Sequence, residues 1–184
     1  MAERVWTTSN ILSCSRVALL GPLAYCLFGE FEHNRLWAAA ILIVGALTDF
    51  LDGYFARRFH AVSELGKIID PLADKVAVAV IAVFLVILGA IPMWYVALAL
   101  VRDGLIVAGG LYIRKKKSII AQSNMAGKLA VSFIALFLLL SVVQAESLEG
   151  FRLFVQWLSV FMMIVSFGIY GQRLFIGRAV DRRA

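Results

Sequence analysis

The chain has 184 residues, of which 62% are hydrophobic and only 16% charged, with a mean hydropathy of +0.89. Soluble domains carry roughly a quarter charged residues, so this balance excludes an ordinary water-soluble globule and places the chain among polytopic membrane proteins. The net charge of +6 does not point to nucleic acid, because the basic residues cluster at the ends of apolar runs, where they orient helices and meet anionic headgroups.

At about 20 residues per span, the length allows about six helices in one domain over residues 1–184. The first apolar run, Ile11 to Gly29, follows Arg4 without a small-residue cleavage pattern, which predicts a retained span rather than a signal peptide. Ser9 or Asn10 is placed to cap it and Pro22 to kink it. Cys14 and Cys26 fall on this same helix, about 18 Å apart along its axis, so they pack rather than pair. Span two covers Leu36 to Ala56 and carries Asp49 and Asp52 near its end. A polar, basic link from Arg57 to Gly66 leads to span three, Lys67 to Ile91, with Asp70 and Asp74 in its opening turns. Pro92 marks a turn into span four, Met93 to Ile113, which carries Arg102 and Asp103 and is followed by the basic run Arg114–Lys117. Span five is Ala126 to Val143, with Lys128 in its first turn. Span six is Phe151 to Ile176 and ends near Arg173.

The connections after spans one, three and five hold only Arg35 and Arg152, whereas the N-terminus, the other two links and the C-terminus hold nearly all remaining Lys and Arg outside the spans. The positive-inside rule then puts both termini in the cytoplasm and all four aspartates at the cytoplasmic ends of spans two and three. The fold class expected is an all-α polytopic membrane protein with six transmembrane helices. Trp6, Trp37, Trp94 and Trp157 fit interfacial belts, His33 lies opposite the aspartates, and Gly109-Gly110 suits close helix packing.

The chemistry concentrates between Asp49 and Asp74. Carboxylates are expensive at membrane depth, and four together want a common partner. Asp49 and Asp52 are three apart and Asp70 and Asp74 four apart, spacings that put each pair on one helix face. Hard oxygen donors suit magnesium or manganese, and two such ions balance four negative charges. Two ions can clamp a diphosphate and stabilise a leaving phosphate. Gly53 clears a place beside the backbone, and Arg57, one turn past Asp52, can pair with phosphate oxygens. The residues alone therefore point to metal-assisted phosphoryl transfer between a water-soluble and a lipid partner. The alternatives are an ion-pair network with Arg57, Arg58, Lys67 and Lys75, or a divalent-cation transporter. Transport would favour acidic residues deep in several spans, whereas spans one, five and six have none in their apolar cores.

The pattern Asp49-x2-Asp52-Gly53-x2-Ala56-Arg57-x8-Gly66-x3-Asp70-x3-Asp74 resembles, without gap or substitution, the signature of the CDP-alcohol phosphotransferases. The six-span layout is similar across nearly the whole chain, and the Asn10–Arg16 opening and Gly127-Lys128 resemble bacterial phosphatidylglycerophosphate synthases. The resemblance implies attack by a small alcohol on the β-phosphate of CDP-diacylglycerol, with release of CMP. It implies that Asp49, Asp52, Asp70 and Asp74 hold two Mg2+ or Mn2+ ions, and that Asp74 serves as general base. It further implies that Gly53, Ala56, Arg57 and Gly66 surround the CDP moiety, that the protein is a homodimer in contact with membrane lipid, and that it acts in phospholipid biosynthesis at the cytoplasmic face of a bacterial plasma membrane.

Glycerol 3-phosphate is the first-choice acceptor, with Arg102, Lys128 and Arg173 as its expected contacts. Against it, Arg102-Asp103-Gly104 resembles the cardiolipin synthases of this family, whose acceptor is phosphatidylglycerol; inositol phosphate and serine also remain open. Lys128 and Arg173 serve equally as headgroup anchors. Because Arg102 and Asp103 are adjacent, they are expected on different helix faces with separate partners, Arg102 binding an acceptor phosphate or an aspartate of span two or three.

Overall fold

A computed structural model describes the backbone over residues 8–59, 66–117 and 125–176, and side chains over 17–48, 75–109 and 125–172. The described residues form six α-helices: α1 Thr8–Phe28, α2 Asn34–Phe59, α3 Gly66–Ile87, α4 Met93–Lys117, α5 Met125–Val143 and α6 Glu149–Ile176, with a 3-10 turn at Glu146–Leu148 before α6. Each helix overlaps one expected span. Two differences have local causes. The third helix stops at Ile87 rather than Ile91, because Gly89 takes a left-handed φ of 67°. The Gly89 amide then donates to the Val86 carbonyl at 3.0 Å and the Ala90 amide to the Leu85 carbonyl at 2.9 Å. This pair of bonds satisfies carbonyls at the end of α3 and turns the chain toward Pro92. The fourth helix continues through Arg114–Lys117, where cations meet the negative end of the helix dipole.

The chain divides into two compact units: α1–α3 with Ser141–Gln144, and α4 with the remainder of α5 and α6. In the first, α1 packs against both α2 and α3. Leu23, Cys26 and Leu27 of α1, Ala38 and Ala39 of α2, and Ala82 and Leu85 of α3 are buried; the small alanines permit close approach of backbones. The α1–α2 turn is tight. A Cβ on Gly29 would lie 2.6 Å from the Tyr25 carbonyl oxygen and 2.8 Å from the Phe31 ring. Asn34 Nδ2 donates to the Gly29 carbonyl, and the Arg35 amide donates to Asn34 Oδ1 at 2.7 Å. Phe28 meets Phe84 edge-on, with ring centroids 5.6 Å apart, so the C-terminal ends of α1 and α3 lie together. Helices α1 and α3 therefore run parallel, with α2 antiparallel to them.

In the second unit Tyr95 of α4 meets Ser159 of α6, and Arg102 of α4 meets Ser166 of α6. The residue numbers rise together, so α4 and α6 run parallel. Tyr95 also packs on Phe137, while Gly127 lies beside Arg102; here the numbers run in opposite senses, so α5 is antiparallel to α4. Met125–Val143 and Glu146–Gln172 are long and apolar enough to cross a membrane, and Val17–Phe28, Asn34–Thr48 and Lys75–Ile87 are shorter apolar stretches. Large apolar side chains, among them Trp37, Ile87, Leu100, Leu129 and Trp157, stand exposed.

Candidate active site

The backbone of α2 is helical through Asp49, Asp52, Gly53, Ala56 and Arg57, and that of α3 is helical from Gly66 through Asp70 and Asp74. The side chains of these residues lie outside the described residues, as does that of Arg173, although all are on described helices. Their level along the helices can still be reckoned from the Phe28–Phe84 end of the unit. At 1.5 Å per residue, Asp49 and Asp52 lie about 22 and 27 Å along α2 from Asn34, and Asp74 and Asp70 about 15 and 21 Å along α3 from Phe84. On this reckoning the two pairs lie at adjoining levels, Asp70 nearest Asp49, toward the end of the unit where α1 begins. Thr48, just before Asp49, donates its hydroxyl to the Val44 carbonyl at 2.8 Å, so that hydroxyl is engaged by its own helix. Lys75, just after Asp74, is exposed.

The second unit holds a buried polar cluster. Arg102 is 7% exposed, although it sits on an apolar helix. Its Nη1 donates to Asp103 Oδ1 at 2.6 Å and its Nη2 to Ser166 Oγ at 2.7 Å. Its Nε is buried without a hydrogen-bond partner. The expectation that Arg102 and Asp103 would find separate partners is therefore corrected. Neighbouring Cβ atoms do diverge on a helix, but the long arginine side chain lets the guanidinium swing back to the next carboxylate. The cation–carboxylate contact is lopsided, with Arg102 8% and Asp103 42% exposed at the side chain.

Gly127 brings α5 to the same place: a Cβ there would lie 3.4 Å from Ser166 Oγ and 3.6 Å from Arg102 Nη2. Lys128 follows it in the chain and is exposed, while its carbonyl accepts the Ser132 hydroxyl at 3.1 Å. Two of the three expected acceptor contacts thus come from neighbouring stretches of α4 and α5. Ser166 was not singled out from sequence. Its one signal was a seven-residue spacing from Ser159 on an otherwise apolar helix, about two turns, which aligns both hydroxyls on one face.

The CDP-alcohol phosphatidyltransferase family model matches residues 6–165. The chain is 30% identical over 173 residues to the CDP-diacylglycerol–glycerol-3-phosphate 3-phosphatidyltransferase of Bacillus subtilis, covering 85% of this chain and 89% of that protein. To the protein of the same name from Aquifex aeolicus it is 32% identical over 167 residues, covering 88% and 92%. It is also 33% identical over 104 residues to a putative cardiolipin synthase of Mycobacterium bovis, covering 56% of this chain and 49% of that protein; the match spans about half the length of that relative. With the family match running across both aspartate-bearing helices and on into α6, this chain belongs to the CDP-alcohol phosphatidyltransferase family.

Proposed function

We propose that this protein transfers a phosphatidyl group from CDP-diacylglycerol to sn-glycerol 3-phosphate, giving phosphatidylglycerophosphate and CMP, as a step of phospholipid biosynthesis. The observation that carries the reading is the family match over 6–165, which includes an intact eight-position motif whose two arms are both helical. The acceptor is chosen because the two relatives aligned over 85% and 88% of this chain are named for glycerol 3-phosphate. The match runs through both compact units, which supports reading residues 1–184 as one catalytic domain.

The donor set fits a divalent metal. Four carboxylates at helical spacing on two neighbouring stretches of helix would offer oxygen donors only, the kind suited to Mg2+ or Mn2+. Asp49, Asp52, Asp70 and Asp74 would hold two ions, which when bound stabilise charge on the diphosphate and on departing CMP. Gly53, Ala56 and Arg57 receive the CDP moiety, with Arg57 offering a planar fork to phosphate oxygens, and Gly66 permits close approach of the chain. Asp74 takes the proton of the acceptor hydroxyl. The hydroxyl oxygen then bonds to the β-phosphorus, the bond from that phosphorus to the bridging oxygen breaks, and the electron pair leaves with CMP. Arg102, Lys128 and Arg173 bind the phosphate of the acceptor. The distribution of Lys and Arg between the connections supports six spans with both termini and the motif at the cytoplasmic face of a bacterial plasma membrane. The exposed apolar side chains are the surface offered to lipid and, in a homodimer, to a second copy.

The test is CMP release by purified protein with CDP-diacylglycerol and Mg2+ or Mn2+, with and without glycerol 3-phosphate. Release that depends on glycerol 3-phosphate is the expected result. A second reading, transfer to phosphatidylglycerol, is favoured by Arg102-Asp103-Gly104 and by the relatives named as cardiolipin synthases. Release with phosphatidylglycerol but not glycerol 3-phosphate would replace the acceptor and keep the reaction class.

A further inference from the structure

The geometry points to Ser166 as a positioning residue for the acceptor, acting through Arg102; this rests on the reading of Arg102 as a contact to the acceptor phosphate. A guanidinium has five N–H donors and no acceptor, and burying it with donors unmet is costly. Arg102 is held at two points. Nη1 is bonded to Asp103 on its own helix and Nη2 to Ser166 on α6. Asp103 alone, half open to its surroundings and attached one residue away, would leave the guanidinium plane free to swivel. The second bond comes from a different helix and from a side chain 1% exposed, so it fixes the plane. Of the N–H groups the two bonds leave over, the one on Nε belongs to a buried nitrogen with no partner, which a phosphate oxygen would satisfy.

The surroundings of Ser166 argue that its hydroxyl is there for Arg102. Met163 is buried and Ile164 and Phe167 are exposed apolar neighbours on the same helix, so an alanine would serve packing as well. Gly127 completes the enclosure from α5 without a side chain, and a Cβ there would already touch both Nη2 and Ser166 Oγ. Three helices therefore converge on one guanidinium, and among the described residues only the contact from α6 sets its direction by a hydrogen bond across helices.

The experiment measures KM for glycerol 3-phosphate and for CDP-diacylglycerol separately in full-length protein, together with thermal unfolding in detergent. Ser166→Ala is expected to raise the acceptor KM about five- to tenfold, the loss of one buried hydrogen bond, while the CDP-lipid KM stays within about twofold. Ser166→Cys, which keeps the volume but accepts weakly, is expected to show the same split with an unchanged unfolding temperature, and Ser166→Thr to restore the acceptor KM. The double variant with Arg102→Gln is expected to be no worse than Arg102→Gln alone, because Ser166 acts only through that side chain. Equal rises in both KM values, multiplying effects in the double variant, or a Cys variant with wild-type acceptor KM would each overturn the positioning role. An Arg102→Gln variant with a normal acceptor KM would instead bring down the underlying reading, and the two failures are separated by that single variant.

Discussion

Tyr95 on α4 and Ser159 on α6 share a hydrogen bond of 2.7 Å with both residues buried, and Ser159 also donates to the Gln156 carbonyl at 2.7 Å. Since the one serine proton goes to Gln156, the Tyr95 O–H is the donor to Ser159. The two substitutions that break this bond are therefore unequal. Tyr95→Phe leaves Ser159 with its own helix and is expected to cost about 0.5–1.5 kcal/mol, whereas Ser159→Ala orphans a buried phenol at about 1–3 kcal/mol. Tyr95→Ala also removes the ring that packs on Phe137 at 4.6 Å and is expected to cost about 3–5 kcal/mol. Unfolding of the three variants in one detergent checks the order; a Tyr95→Phe variant less stable than Ser159→Ala would reverse the donor assignment.

The aspartates are tested by charge-removing changes that keep their size. Asp74→Asn is expected to lower kcat by about 10²–10⁴-fold, the usual contribution of a positioned base. Asp70→Asn is expected to abolish turnover at ordinary metal concentration with unfolding unchanged. Near-normal activity of Asp70→Asn would remove it from the metal site.

Chelation provides a test that needs no mutation. Removing divalent ions from purified protein is expected to stop CMP release, and Mg2+ or Mn2+ to restore it, because oxygen-only donors of this kind suit those ions. Undiminished release in excess chelator would leave the four carboxylates without their proposed role.

Arg102→Gln distinguishes the two substrates. A charge-assisted bond to an acceptor phosphate contributes about 1.5–3 kcal/mol, so the acceptor KM is expected to rise roughly 10- to 100-fold while that for CDP-diacylglycerol changes little. An equal rise for both substrates would mean that Arg102 supports the fold rather than the acceptor.

Gly89 tests the end of α3. Its φ of 67° is left-handed, and nothing lies within 4 Å of where a Cβ would stand. Gly89→Ala is expected to cost about 1 kcal/mol from backbone strain alone, visible in unfolding and absent from KM and kcat.

Helix number and approximate bounds were legible because apolar runs of membrane length leave the backbone no alternative to helix. The Gly89 stop was missed by four residues, since a glycine in an apolar run reads equally as packing and as termination until its φ is known. The motif was legible as chemistry because carboxylates are rare among apolar residues; its helical backbone is described, while its side-chain geometry lies outside the described residues.

The sequence by itself determined the helices, the aspartate pattern and the family, since composition, spacing and motif are local properties of the chain. Only the tertiary structure decided which distant residues meet. The pairing of Arg102 with Ser166, the seven-residue register by which α4 and α6 run parallel, and the Gly127 contact all join positions far apart in the chain. Spacing constrains neighbours on one helix, but the partner of a buried polar group across helices is selected by packing and by the cost of leaving that group unmet.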